Sequence, residues 1–347
     1  MPATDPVSLA IQALAERKDL SVEQTEGAFA LVMAGEASPV QMAALLAALR
    51  TKGETAAEVA GAVRALRDAM VPVETPGHGP LVDTCGTGGG RVTTFNISTA
   101  AAIVATGAGL RVAKHGNRSF TSQSGSADVL EALGLTIPPN AQRAAALLAS
   151  ARMTFLFAPL FHPAMKHVGP VRRELGITTI MNLLGPLANP AGVRRQVIGV
   201  ADAGRAPLMA EALADLGTEH ALVVHARVGM DEIAPEGQTD VWEVRDRAVR
   251  AWVLDPAVFG LPTGSSRELA GGSPEDNANR VRAIVQGRDG SVRRTAVVLN
   301  AAAALIVAGM VADWKDAVVA AQDAIGSGKA GEVLDKLVTE SRAAADG

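Results

Sequence analysis

Over roughly the first seventy residues, apolar positions recur at helical spacing. Met42, Leu45, Leu46 and Leu49 follow the i, i+3, i+4, i+7 rule and would form one apolar face. Three segments carry the capping-box pattern of a helix start, a Ser or Thr followed three positions on by Gln or Glu. They are Ser21-Val22-Glu23-Gln24, Ser38-Pro39-Val40-Gln41 and Thr55-Ala56-Ala57-Glu58. Pro39 takes the first helical position, where its missing N–H does no harm, and Gly53 is a natural stop. Short helices joined by short loops predict a small antiparallel helical bundle over residues 1–70. Such a bundle with surplus apolar surface is also suited to dimerisation. Residues 71–80 hold three prolines and two glycines and predict a linker or hinge.

Beyond Pro80 the pattern changes to short β-rich runs alternating with helices. Strands are predicted at Leu81–Thr84, Arg111–Lys114, Met153–Phe157, Gln196–Val200 and His220–His225. Helices are predicted at Ile97–Thr106, Ser126–Leu133, Ala141–Ser150, Val171–Leu175, Ala206–Leu216 and Pro274–Val285. This alternation predicts an α/β domain over 81–347 with a central, mostly parallel sheet. Residues 238–255 read as a β-hairpin insertion. The apolar stretch from Ala296 to Val311 is broken by Asn300, is too short to span a bilayer, and predicts a buried helix.

Composition narrows the function classes. The chain of 347 residues is 48% apolar and carries a net charge of −4. That balance supplies no global basic field for nucleic acid or an anionic membrane. A single cysteine, Cys85, rules out an intrachain disulfide framework and suits a reducing compartment. Its position fits a small residue at a strand end better than a nucleophile. With no basic segment leading into an apolar run at the N-terminus, a cytoplasmic protein is expected.

Four stretches carry candidate chemistry. The first runs from Gly86 to Thr99, where a strand feeds a glycine loop and then a helix opened by Asn96, Ser98 and Thr99. Glycines allow close approach of a bulky anion, and helix N-termini favour negative charge. A plain structural turn is the alternative. The second, from Lys114 to Ser126, follows the next strand and interleaves cations, hydroxyls and an amide as an anion loop requires. The third is Asp231-Glu232, a hard-oxygen pair suited to Mg²⁺ if it faces a phosphate, and otherwise a solvated pair. The fourth, Phe161 to Gly176, gathers His162, His167 and Lys166, Arg172 and Arg173. Its histidines lack partners at zinc-ligand spacing, and an arginine there suits a substrate carboxylate.

Taken together and in order, these motifs resemble the anthranilate phosphoribosyltransferase family. The resemblance rests on the glycine loop with Phe95-Asn96-Ile97-Ser98-Thr99, on Lys114-His115-Gly116-Asn117-Arg118, and on Ser124-Gly125-Ser126-Ala127-Asp128-Val129-Leu130. Residues 182–190 (Asn-Leu-Leu-Gly-Pro-Leu-Ala-Asn-Pro) and Asp231-Glu232 complete it, and it extends from about residue 8 to about residue 335. It implies a small helical domain, joined by a helical segment near 165–190, beside a large α/β domain of the nucleoside phosphorylase/phosphoribosyltransferase type. It also implies a homodimer through the helical domain. The implied reaction is transfer of phosphoribosyl from phosphoribosyl pyrophosphate (PRPP) to anthranilate with release of pyrophosphate, the second step of the tryptophan branch. By position, Gly86, Gly89, Gly90, Thr94, Asn96, Ser98, Thr99, Lys114, Asn117, Arg118, Ser122 and Ser126 would hold PRPP. Ser98, Asp231 and Glu232 would bind Mg²⁺. Gly86, Asn117 and Arg172 would contact anthranilate, with His115 nearby as a candidate proton acceptor.

Two positions depart from the family pattern, which usually has Asp at Gly90 and Lys at Gln123. Altered affinity for PRPP or Mg²⁺ is expected. Michaelis constants for Gly90→Asp and Gln123→Lys check this, and values equal to wild type in both would refute it. Two other readings remain at this level: a pyrimidine nucleoside phosphorylase, which shares the implied fold, and a non-catalytic nucleic-acid-binding relative. The Arg172 region and the acidic pair favour the transferase over the first. The net charge counts against the second.

Overall fold

A computed structural model of the chain describes residues 5–90, 92–118 and 124–346. Ser122, Gln123 and Arg91 lie outside the described residues.

The N-terminal helices are Pro6–Ala15, Val22–Ala34, Pro39–Lys52 and Ala56–Asp68. All three sequence-marked capping boxes form, at Ser21/Gln24, Ser38/Gln41 and Thr55/Glu58. Met42, Leu45, Leu46 and Leu49 are buried together, each worth about 1.5–3 kcal/mol relative to exposure.

The α/β part is built on one seven-stranded sheet. Its strands are β1 (Leu81–Gly86), β2 (Arg111–Gly116), β3 (Met153–Phe157), β4 (Arg195–Gly199), β5 (His220–Ala226), β6 (Thr239–Arg245) and β7 (Ala248–Leu254). Their spatial order is β3-β2-β1-β4-β5-β6-β7. The first five in that order run parallel, and β6 and β7 add antiparallel strands at one edge. The expected hairpin is therefore not a separate insertion. Its strand β6 pairs along the whole of β5. Strand order reverses between β1 and β4, the place where open α/β sheets bind ligands beyond their strand C-termini.

The buried helix predicted around Asn300 spans Val292–Ala308. No helix among the described residues is long and apolar enough to cross a membrane. Two helical segments escape the sequence pattern. Met165–Leu175 begins before its predicted start and contains Pro170, and Met181–Leu187 contains Pro186. Proline normally signals a helix end, so tertiary packing decides both. These two helices join the N-terminal bundle to the sheet. Val168, Val171, Leu183, Leu184 and Leu187 share one apolar cluster with Val32, Leu46, Val63 and with Ile198 and Val223 of the sheet. Arg67 also donates from Nε (3.0 Å) and Nη2 (2.7 Å) to the Leu187 carbonyl.

Candidate functional site

The glycine loop leaves the C-terminal end of β1, where Gly86 stands in register with Gly199 of β4. Asp231, which arches over the strand ends after β5, requires glycine at 199 with its backbone and crowds Gly86 with its carboxylate. A side chain on Gly199 would overlap the Asp231 carbonyl, and a Cβ on Gly86 would lie 2.6 Å from Asp231 Oδ2. Gly199→Ala is therefore expected to cost at least about 3 kcal/mol in urea unfolding, because backbone atoms on both sides cannot retreat.

Gly88 and Gly89 adopt left-handed backbone angles (φ 67° and 81°). Gly88 donates its N–H to Asp231 Oδ2 at 2.9 Å. The loop then enters the helix Ile97–Gly107, whose N-cap residue, Asn96, makes no side-chain capping bond. Asn96 is instead held by Asn277 Nδ2 (3.1 Å) and donates to the Ser124 carbonyl (3.4 Å). The first turn is thus free of a competing cap, as an anion site at a helix N-terminus requires.

Ser98, Asp231 and Glu232 line one small cavity of about 10 Å³ with Thr84, Cys85 and Asn300. That is roughly the space of one ion or water. Thr94 Oγ1 donates to Glu232 Oε1 at 3.0 Å, while Glu232 Oε2 is buried with no partner. Burial raises the carboxyl pKa of Asp231. Burial and the neighbouring Asp231 charge push that of Glu232 well above its usual range. Two crowded carboxylates with an unsatisfied oxygen fit a divalent cation. Among the described residues no cluster of three or more His, Cys, Asp or Glu side chains offers a metal cage. This donor set therefore suits Mg²⁺ completed by substrate oxygens and water rather than a protein-only site.

Several expectations change. Lys114 is buried beneath the loop, where its Nζ donates to the Thr84 carbonyl and to Ser98 Oγ (3.1 Å). Its ammonium thereby supports Ser98 from below the loop. Burial lowers its pKa against the pull of Asp83. Thr99 is fully buried, its hydroxyl unpartnered on the core side of the helix. Arg118 is bound by Asp128 (2.7 Å) and Glu131 (2.6 and 2.8 Å) and lies over the Phe157 ring. Those two acids offset its charge and take three of its five N–H donors. Ser126 Oγ donates to the Asn117 carbonyl at 3.3 Å and fixes the half-buried turn carrying Asn117.

His115 also departs from expectation. It is buried, packed 5.0 Å from the His162 ring, with Nε2 unpartnered. Burial, reinforced by His162 and Lys114, lowers its pKa to about 3, which makes it a poor proton acceptor near neutral pH. An unfolded histidine titrates near 6.5. Between those values the unfolded chain binds more protons, so this group's contribution to stability is lost as pH falls through that window. His115→Gln should flatten the loss of stability between pH 7 and pH 5 by about 1–2 kcal/mol, read from urea midpoints. Cys85 behaves as a packed thiol. Its pKa is pushed well up by burial and by Asp83, and Sγ points at the Pro186 carbonyl (3.8 Å).

Arg172 is half-buried on the helix Met165–Leu175, which starts just after His162. Burial lowers its pKa, and no hydrogen-bond or ion-pair partner among the described residues meets its guanidinium. Gly90 lies beside Asp231: a Cβ there would be 3.5 Å from Asp231 Oδ1 and 3.0 Å from the Gly229 carbonyl.

Sequence reasoning passed over two supporting networks. Asp83, fully buried, accepts from the His115 N–H (3.1 Å) and from Asn189 Nδ2 (2.8 Å), tying β1, β2 and the segment after the helix Met181–Leu187. Asn300, noted only as a break in an apolar run, brackets Ile233 through both its N–H (3.1 Å) and carbonyl (2.9 Å). It thereby holds the backbone next to Glu232. A lone polar residue inside an apolar helix was the available signal.

Two family models match the chain. The glycosyl transferase family helical bundle domain covers residues 8–70, and the glycosyl transferase family a/b domain covers residues 78–331. Anthranilate phosphoribosyltransferase from Herpetosiphon aurantiacus is 48% identical over 333 residues, covering 96% of this chain and 98% of that protein. The chain belongs to the anthranilate phosphoribosyltransferase family. A member from Roseiflexus is 49% identical over 325 residues, covering 93% of this chain and 95% of that protein. Among solved structures, the Thermus thermophilus family member superposes with a TM-score of 0.91 at 40% identity, covering 96% of this chain and 99% of that one. The Saccharomyces cerevisiae family member, solved in complex with PRPP and Mg, gives a TM-score of 0.88 at 28% identity, covering 98% of this chain and 99% of that one. The family's helical bundle and a/b domain correspond to the two parts of the fold described above.

Proposed function

We propose that the chain transfers the phosphoribosyl group of PRPP to anthranilate and releases pyrophosphate. The observation that carries this reading is the cavity shared by Ser98, Asp231 and Glu232, opening beside a glycine loop and an uncapped helix N-terminus. In this reading the backbone of Gly86, Gly89 and Gly90, with Thr94, Asn96 and Ser98, receives PRPP. Ser98, Asp231 and Glu232 hold Mg²⁺, which when bound neutralises charge on the departing pyrophosphate. Arg172 takes the anthranilate carboxylate, and Asn117 and Gly86 border the ring.

The anthranilate amine attacks the ribose carbon as the bond from that carbon to the pyrophosphate oxygen breaks. The residues contribute orientation and preorganised dipoles rather than a strong base. That division fits a buried, weakly basic His115. Loss of anthranilate fluorescence in the presence of PRPP and Mg²⁺ tests the reading. No turnover by the wild-type chain would refute it, and phosphorolysis of thymidine or uridine instead would favour the phosphorylase.

The assembly proposed is a cytoplasmic homodimer through the helical domain. The dimer is supported by Leu9 and Val40, on two packed helices, which stay 52% and 79% exposed.

A further inference from the structure

We propose that the chain carries a second small-molecule site, on the sheet edge opposite the catalytic one, that binds a small carboxylate with an aromatic body. The site is a cleft of about 700 Å³, within the usual range of about 300–1,000 Å³ for ligand pockets. It is formed where β4 and β5 begin and β6 ends, at Arg195, His220 and Arg245. The glycine loop and the acidic pair lie instead beyond the C-terminal ends of β1 and β5. Nothing in the phosphoribosyl transfer uses it.

Its walls have two complementary parts. Trp252 and Trp314 supply an apolar face, with ring centroids 5.8 Å apart in an edge-to-face pair. The polar part holds two guanidiniums. Arg245 and Arg250 line the cleft as solvent-exposed side chains with no hydrogen-bond or ion-pair partner among the described residues. The buried indole N–H of Trp252 also lacks an acceptor. An unmet buried donor is costly and calls for an acceptor.

The acids of the cleft are mostly engaged. Glu219 holds Arg194 (3.1 Å) and Arg195 (3.0 Å), and Glu243 accepts from His220 (2.9 Å). Asp246 is exposed in the turn between β6 and β7. A ligand that replaces the water on these groups brings acceptor oxygens for two guanidiniums and a flat apolar body for two indoles. An aromatic carboxylate has that chemistry.

The chain contains three tryptophans and no tyrosine, and two of the three, Trp252 and Trp314, line this cleft, so intrinsic fluorescence is sensitive to its occupancy. Phenylacetate titrated into the full-length protein should change the emission saturably, with half-saturation at about 1 mM or below. Benzyl alcohol and acetate should each bind about tenfold more weakly, since each lacks one half of the match. Arg245→Ala/Arg250→Ala should raise half-saturation about tenfold or more while leaving anthranilate turnover intact. Arg172→Ala should leave the titration unchanged. A linear response, equal binding of benzyl alcohol, or a signal lost in Arg172→Ala but kept in the double variant would each overturn the proposal.

Discussion

Arg172→Ala is expected to lower kcat/KM for anthranilate by about 100-fold, the loss of a paired charge-assisted contact. KM for PRPP should stay within about twofold, because the two substrates are held by different elements. Arg172→Lys should recover only part of the loss, since an ammonium cannot form the two-pronged contact with a carboxylate. Thermal stability should hold or rise slightly. The guanidinium is half-buried and has no partner among the described residues, so its removal relieves a desolvation cost. Steady-state kinetics with each substrate varied, beside a melting curve, checks both parts. An equal rise in KM for PRPP would place Arg172 elsewhere.

Glu232→Gln should reduce kcat by about 10²- to 10³-fold, the scale of losing electrostatic stabilisation of a leaving anion. The same substitution should stabilise the chelator-treated protein by about 1 kcal/mol, because it removes a crowded, buried carboxylate. The pH dependence has a definite sign. Glu232 titrates higher in the folded chain than in the unfolded one, so stability in chelator should fall as pH rises from about 4.3 through that higher value. Glu232→Gln should flatten this limb. Added Mg²⁺ should raise the melting temperature of wild type and not of the variant. A variant that still gains stability from Mg²⁺ would remove Glu232 from the metal set.

Local patterns reveal much of this protein before any packing is considered. The three capping boxes form as their spacing demands, because a cap is a contact between residues three apart. The strands follow from apolar runs bounded by glycine and proline. The helices with internal Pro170 and Pro186 fall in the segment near 165–190 that the family resemblance marked as helical, but hydrophobic periodicity gave only part of the first and none of the second, since their stability comes from the bundle and sheet they join. The hairpin was visible as two strands, but its continuity with β5 depends on pairing across the sheet.

The site divides in the same way. The order and type of residues in the chain determined the glycine loop, the helix that follows it, the acidic pair and the family, because each is written in neighbouring positions. Only the tertiary structure decided that Asp231 comes down onto Gly86 and Gly199, and that Lys114 reaches Ser98 from beneath. It alone paired Arg118 with helix carboxylates and buried His115 against His162. The reason is physical. Charge, exposure and basicity depend on what surrounds a side chain, and those surroundings are assembled from segments separated in the chain, by 16 residues for Lys114 and Ser98 and by 143 for the Gly88–Asp231 bond.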